Sequence, residues 1–187
     1  KHLQVMMDKN LDVTTLEGKQ SFVKSLVAYN IVLEGIWFYS GFMVGMSFRQ
    51  RNLLRNVGSL LDWITKDENL HLTFGINLLL TILDENPELQ TEEFADEIRA
   101  LILEAVTIEE AYNQDMLPKG ILGLNADYVN QYVKHMTDRR LVELLDGRGA
   151  EGVGRADDDA LPLTFPARGE LGDGRGLPGS VHADDED

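Results

Sequence analysis

Asp67-Glu68-Asn69-Leu70-His71 sets a carboxylate and an imidazole three residues apart. A second acid, Glu34, stands inside Val32-Leu33-Glu34-Gly35-Ile36-Trp37-Phe38, an otherwise apolar run. On an α-helix, positions i and i+3 project from one face about a turn apart. Leu61, Ile64, Gly75 and Leu78 continue the face of Glu68 and His71, so the spacing predicts both groups buried among apolar neighbours. Polar groups buried in that way need something to replace their lost hydration, and a bound cation does so. Two carboxylates and a histidine form a donor set suited to iron or manganese, with zinc within its range.

A single Glu-x-x-His is common by chance. An acid placed like Glu34 is rarer, because buried acids are seldom left unpaired. The relevant template is the ferritin-like di-iron or di-manganese bundle, in which two helices each give one Glu and two others each give Glu-x-x-His. This sequence holds one of each kind: His2, His135 and His182 have no Glu three residues before them. It encodes half of a six-ligand site. By periodicity alone Trp37, Phe38, Tyr39, Phe42 and Met43 are core residues, and His135, near Tyr132 and Arg139, is a helix-surface or interface histidine.

Helices must carry these groups. Asp12-Val13-Thr14-Thr15-Leu16-Glu17 offers a helix start, with Asp or Thr as the cap and an acid in the first turn. From there to about Arg49 no proline intervenes, and Phe22, Leu26, Tyr29, Leu33, Ile36 and Val44 recur with helical spacing. The stretch from Ile31 to Met46 is too apolar for a surface element and is expected to be buried on most sides. Arg49-Gln50-Arg51-Asn52 and Val57-Gly58-Ser59 mark a turn, and a second helix is expected from about Ser59 to Leu83. Asp84-Glu85-Asn86-Pro87 closes it, since the residue before proline disfavours the α region. Thr91-Glu92-Glu93 caps a third helix to about Gln114, Leu117-Pro118-Lys119-Gly120 breaks it, and Asn125 caps a fourth to about Leu145. No stretch alternates with period two. The fold class is therefore all-α, a partial helical bundle of about four long helices.

Composition bounds the rest. The chain has 187 residues, enough for one domain with a real core, and a formal net charge of −15, which argues against nucleic acid. It has no cysteine, so disulfides, zinc–thiolate sites and thiol nucleophiles are excluded. No secretory signal is recognisable. The longest apolar run, broken by Glu34 and by small or polar residues, is too short for a membrane span. A soluble, cytoplasmic protein is expected, one that begins partway into a longer chain because position 1 is Lys. Residues 146–187 hold nine of the seventeen glycines, eleven acids and a single aromatic, Phe165. Such a segment buries too little apolar surface to offset its ordering entropy and is expected to be a disordered acidic tail.

Val32 through Phe42, followed by Ile64-Thr65-Lys66-Asp67-Glu68-Asn69-Leu70-His71, resembles the small, radical-generating subunit of class I ribonucleotide reductase. The interval from Glu34 to Glu68 is that family's interval between its third carboxylate ligand and its final Glu-x-x-His. Tyr112 through Ala126, including Gly120-Ile121-Leu122-Gly123-Leu124-Asn125-Ala126, and Tyr132 through Leu141 also resemble the family, closest to the chlamydial-type class Ic branch. The resemblance spans about residues 10–145 and implies a ferritin-like fold, the family's C-terminal portion and a di-iron or mixed manganese–iron centre. By the same resemblance Glu34, Glu68 and His71 are metal ligands, and Asp67 is a radical-transfer relay that hydrogen-bonds a ligand histidine. Phe38, Phe42 and Ile64 form the apolar pocket around the oxygen-activating centre. The implied activity is supply of an oxidising equivalent to a large catalytic subunit, which reduces ribonucleotides to deoxyribonucleotides. The family implies a homodimer for the full-length protein, and neither nucleic acid nor membrane is an expected partner.

The departures are equally specific. The family's first Asp ligand, its first Glu-x-x-His and its metal-adjacent Tyr or Phe are absent from this sequence, and Lys66 stands where Arg is more usual. The resemblance stops after Arg140-Leu141-Val142-Glu143-Leu144, and residues 146–187 contain no Tyr or Trp, so that segment reads as frameshifted. Alone, the chain is expected to be inactive, with a second metal largely unheld. Two rivals stand beside this reading: a ligand-binding di-metal oxidase of the same fold, and a non-catalytic helical remnant.

Overall fold

The computed structural model describes residues 4, 5, 7–121 and 123–145. The expectations for residues 146–187 therefore lie outside the described residues. Four long helices make up the fold: α1 (Leu16–Gln50), α2 (Arg55–Glu85), α3 (Glu92–Met116) and α4 (Ala126–Leu145). A short 3₁₀ turn, Pro87–Leu89, separates α2 from α3. Among the described residues the only extended pairing is an isolated bridge between Ile121 and Leu124. The expected all-α bundle is the observed one.

Side chains start the helices where their chemistry suggests. Thr15 Oγ1 accepts from the Gly18 N–H at 3.1 Å, Thr91 Oγ1 from the Phe94 N–H at 3.2 Å, and Asn125 Oδ1 from the Tyr128 N–H at 2.8 Å. Each satisfies a first-turn N–H that has no intrahelical partner, and Glu17, Glu92 and Glu93 add favourable charge at two of these ends. The expected start of α2 is corrected from Ser59 to Arg55. Leu54, at φ 48°, makes the sharp turn, and Gly58 lies inside the helix because it packs on the Arg49 side chain.

The core helix α1 packs on all three of the others and changes its winding along its length. Leu16–Leu26 and Phe38–Gln50 are α-helical, whereas Val27–Trp37 is π-helical. Burial is deepest there: Val27, Ile31 and Ile36 are buried together with Leu79 of α2, Ile102 of α3 and Val129 and Val133 of α4. By length and composition the whole of α1 is long and apolar enough to cross a bilayer, a test that a buried core helix also passes. Within this fold 61% of its apolar stretch is buried inside the bundle. Neighbouring helices cover that surface.

Two glycines set how closely α1 and α2 approach. A Cβ on Gly35 would lie 2.9 Å from Leu72 Cδ1, and one on Gly75 would lie 2.5 Å from Asn30 Cβ. Arg140 of α4 braces the same level: its Nε donates to the Gly35 carbonyl at 3.3 Å, its Nη1 pairs with Glu143 at 2.9 Å, and its guanidinium lies over the Tyr39 ring. Replacing Gly75 by Ala provides a signed test. Better helix propensity favours Ala by up to about 1 kcal/mol, while overpacking against a neighbouring helix costs about 1–3 kcal/mol. Urea unfolding is expected to show net destabilisation of Gly75→Ala; a stabilised variant would mean the helices are not held this closely.

Candidate metal centre

Glu34 lies within the π-helical section of α1 and is 6% exposed. Its Oε2 atom is buried and has no hydrogen-bond partner. Beside Gly35, which faces Leu72, and Gly75, which faces Asn30, α2 presents Glu68, with a side chain 13% exposed, and His71, whose side chain is 60% exposed. His71 Nδ1 lies 3.3 Å from Glu68 Oε2. One donor atom from each of Glu34, Glu68 and His71 falls within 4.8 Å of the others. The three residues singled out by type and spacing thus converge, although the expected burial of His71 is corrected. It stands at the edge of the helix pair and faces outward.

An orphaned buried carboxylate oxygen, a second acid and an imidazole within that distance fit one divalent cation, which would supply the missing partner of Glu34. Among the described residues no further His, Cys, Asp or Glu joins this cluster. The cluster offers three candidate donor residues.

The expected pocket residues take different places. Phe42 is buried and Ile64 half-buried, while Phe38 is 38% exposed. The Phe38 and Phe42 rings pack at 6.1 Å, and Tyr39 meets Phe42 edge-on at 5.7 Å. Asp67 is exposed and does not bond to His71. The Tyr39 hydroxyl donates to the Asn69 side chain, fixing α1 to the middle of the metal motif.

Two residues near the site carry no sequence signal of their own. The Tyr29 phenol is raised above its ordinary pKa first by the charge of Glu34, then by hydrogen bonding to it, with burial and Glu68 adding. A phenol is protonated at neutral pH in any case and can donate toward Glu34. Tyr29 precedes Glu34 by five residues, which α-helical spacing puts on different faces but the i+5 pattern of a π-helix brings together. Glu109 of α3 is 6% exposed and accepts from the Ser40 hydroxyl, beside the open groove lined by Phe38, Phe42 and Tyr112. Burial raises its pKa, partly offset by the Ser40 hydrogen bond.

A helical bundle that brings Glu and Glu-x-x-His together from adjacent helices belongs to the ferritin-like carboxylate metal proteins. Within that class, residues 1–145 match the model of the ribonucleotide reductase small chain, and the protein belongs to that family. It is 46% identical over 136 residues to the ribonucleoside-diphosphate reductase subunit beta of Chlamydia pneumoniae, covering 73% of this sequence and 39% of that protein. It is 30% identical over 134 residues to the Nicotiana tabacum ribonucleoside-diphosphate reductase small chain, covering 72% and 37%. A crystal structure from Bacillus halodurans, described as a class I ribonucleotide reductase, superposes with a TM-score of 0.62 at 28% identity, covering 67% of this sequence and 40% of that one. The protein spans about two-fifths of the length of these relatives.

Two expected outcomes follow from the buried acids. An unsatisfied buried polar group costs about 1–3 kcal/mol, so Glu34→Leu is expected to leave metal-free stability unchanged or higher in urea unfolding. Stabilisation by added metal should disappear in the same variant. Glu109 has a raised folded pKa, so its contribution is fully present below the unfolded value and is lost as pH rises through the folded one. Glu109→Gln removes that loss. Thermal unfolding at a series of pH values should show the variant gaining on the parent protein as pH rises above the ordinary carboxylate range.

Proposed function

We propose that this protein is the C-terminal, metal-carrying part of a ribonucleoside-diphosphate reductase small subunit. The observation that carries the reading is the Glu34–Glu68–His71 cluster, with its orphaned buried oxygen, in a member of this family. In the whole protein a di-iron or mixed manganese–iron centre would supply oxygen activation and hence the oxidising equivalent used by the large subunit to make deoxyribonucleotides.

The residues divide the work by position. Glu34 has no access to bulk water to hydrate its free oxygen, so it favours a cation over solvent. The Tyr29 phenol interacts with the same carboxylate and can donate to it. Glu68 and His71, one turn apart, offer an oxygen and a nitrogen from a rigid helix. Phe42 and Ile64, with Phe38 at the margin, form an apolar wall that excludes water from one side. Asp67 lies one turn before His71 on the outward side of α2, which suits a relay to a group brought by another segment or subunit. A cytoplasmic location fits this chemistry.

Anaerobic titration with Fe(II), and separately with Mn(II), tests the metal reading. A ligand present at 100 times its Kd stabilises the folded state by about 2.7 kcal/mol. The wild-type protein is expected to show such a gain, measured by thermal unfolding alongside elemental analysis. Glu68→Ala and His71→Ala should lose it. Metal content and stability unchanged in both variants would instead identify a helical remnant without metal chemistry.

A further inference from the structure

Arg140 and Glu143 form a buried ion pair one turn apart on α4, with side chains 4% and 12% exposed. Nη1 of Arg140 reaches both Glu143 oxygens, at 3.1 and 2.9 Å, and Arg139 Nη2 approaches the same carboxylate at 3.7 Å. Such a pair gains the fold little, because lost hydration offsets the attraction of its charges. Apolar residues of similar volume often serve stability equally well or better. What the guanidinium reaches is more specific. Nε donates at 3.3 Å to the carbonyl of Gly35, the residue directly after Glu34. Gly35 lies in the last turn of the π-helical section, which ends at Trp37. Where i→i+5 bonding returns to i→i+4, the helix passes over one carbonyl, and Arg140 brings a donor to that turn from another helix. The guanidinium also lies 5.6 Å from the centre of the Tyr39 ring. The Tyr39 hydroxyl in turn donates to Asn69, the residue after Glu68.

We propose that Arg140, held by Glu143, is a positioning residue for two of the three donors, Glu34 and Glu68. Its bond to the Gly35 carbonyl keeps the π-helical turn wound beside Glu34. Its contact with Tyr39 keeps the Asn69 bond, and hence Glu68, in register with α1. The inference rests on the metal reading of Glu34, Glu68 and His71, and adds the group that fixes how two of them face each other. Arg140 acts through a backbone carbonyl and an aromatic ring, never as a ligand. Lysine cannot replace it. A planar guanidinium bonds a carbonyl, bonds a carboxylate and faces a ring at once, whereas an ammonium is a point charge on a flexible stem. A buried pair of this kind can specify one arrangement without adding to global stability.

The double variant Arg140→Met/Glu143→Leu, made in the 187-residue protein, removes both charges and leaves apolar side chains in their place. Its urea midpoint is expected to be unchanged or higher. Two other readouts should move. Amide hydrogen exchange of the metal-free variant should quicken about tenfold or more within Val27–Trp37, as for the loss of one charge-assisted hydrogen bond, and stay unchanged in α3. Mn(II) affinity, read by electron paramagnetic resonance titration, should fall about 10- to 100-fold although Glu34, Glu68 and His71 all remain. Arg140→Lys keeps a charge for Glu143 but not the geometry, and should reproduce both losses; it carries the test if the double variant fails to fold. Exchange that is unchanged in Val27–Trp37, or quickened evenly through all four helices, would overturn the proposal whether or not metal binds. Local quickening with full Mn(II) affinity would overturn it as well, leaving Arg140 a brace for the helix alone. Wild-type protein that binds no Mn(II) would overturn the metal reading, and the exchange data would still decide whether Arg140 holds the turn.

Discussion

The close approach of α1 and α2 at Gly35 and Gly75 governs everything near the candidate centre. There is no room for a β-carbon at either position without displacing Leu72 or Asn30. Two helix backbones at that separation bring the Glu34 carboxylate to Glu68 and His71, and larger side chains would hold the donor atoms apart. The guanidinium of Arg140, 3% exposed, ties α4 to the Gly35 carbonyl and to the Tyr39 ring at the same level. Positioning a site by packed helices in this way keeps ligand geometry tight, because a helix moves as a unit.

That arrangement conflicts with local stability in one place. A carboxylate whose second oxygen is buried and unpaired lies in the most apolar part of the sequence. The surrounding core of Ile31, Ile36, Leu79 and Ile102 contributes enough favourable burial to hold it there. Departures from local rules of this kind concentrate where a protein binds or reacts. The π-helical winding of Val27–Trp37 is a second departure in the same segment, and it turns Tyr29 toward the carboxylate. Insertions of π-type hydrogen bonding into α-helices are frequent at functional sites. Two irregularities and a metal-type donor cluster therefore coincide.

The amino-acid sequence by itself determined the helices, most of their caps and the identity of the three donors. Thr15, Thr91 and Asn125 cap as their types suggest, because capping is a contact between residues three apart. Glu34 was conspicuous because an acid in an apolar run is locally anomalous, and Glu68 and His71 because three-residue spacing fixes a helical face. The start of α2 was misplaced because a glycine can mark a turn or a tight helix contact, and only the Arg49 side chain over Gly58 distinguishes them. Tertiary structure alone decided the rest. The exposure of His71, the phenol of Tyr29 behind Glu34 and the burial of Glu109 beside Ser40 depend on which helices meet and how α1 is wound. Spacing in one helix carries no information about what lies opposite it, so long-range packing had to choose.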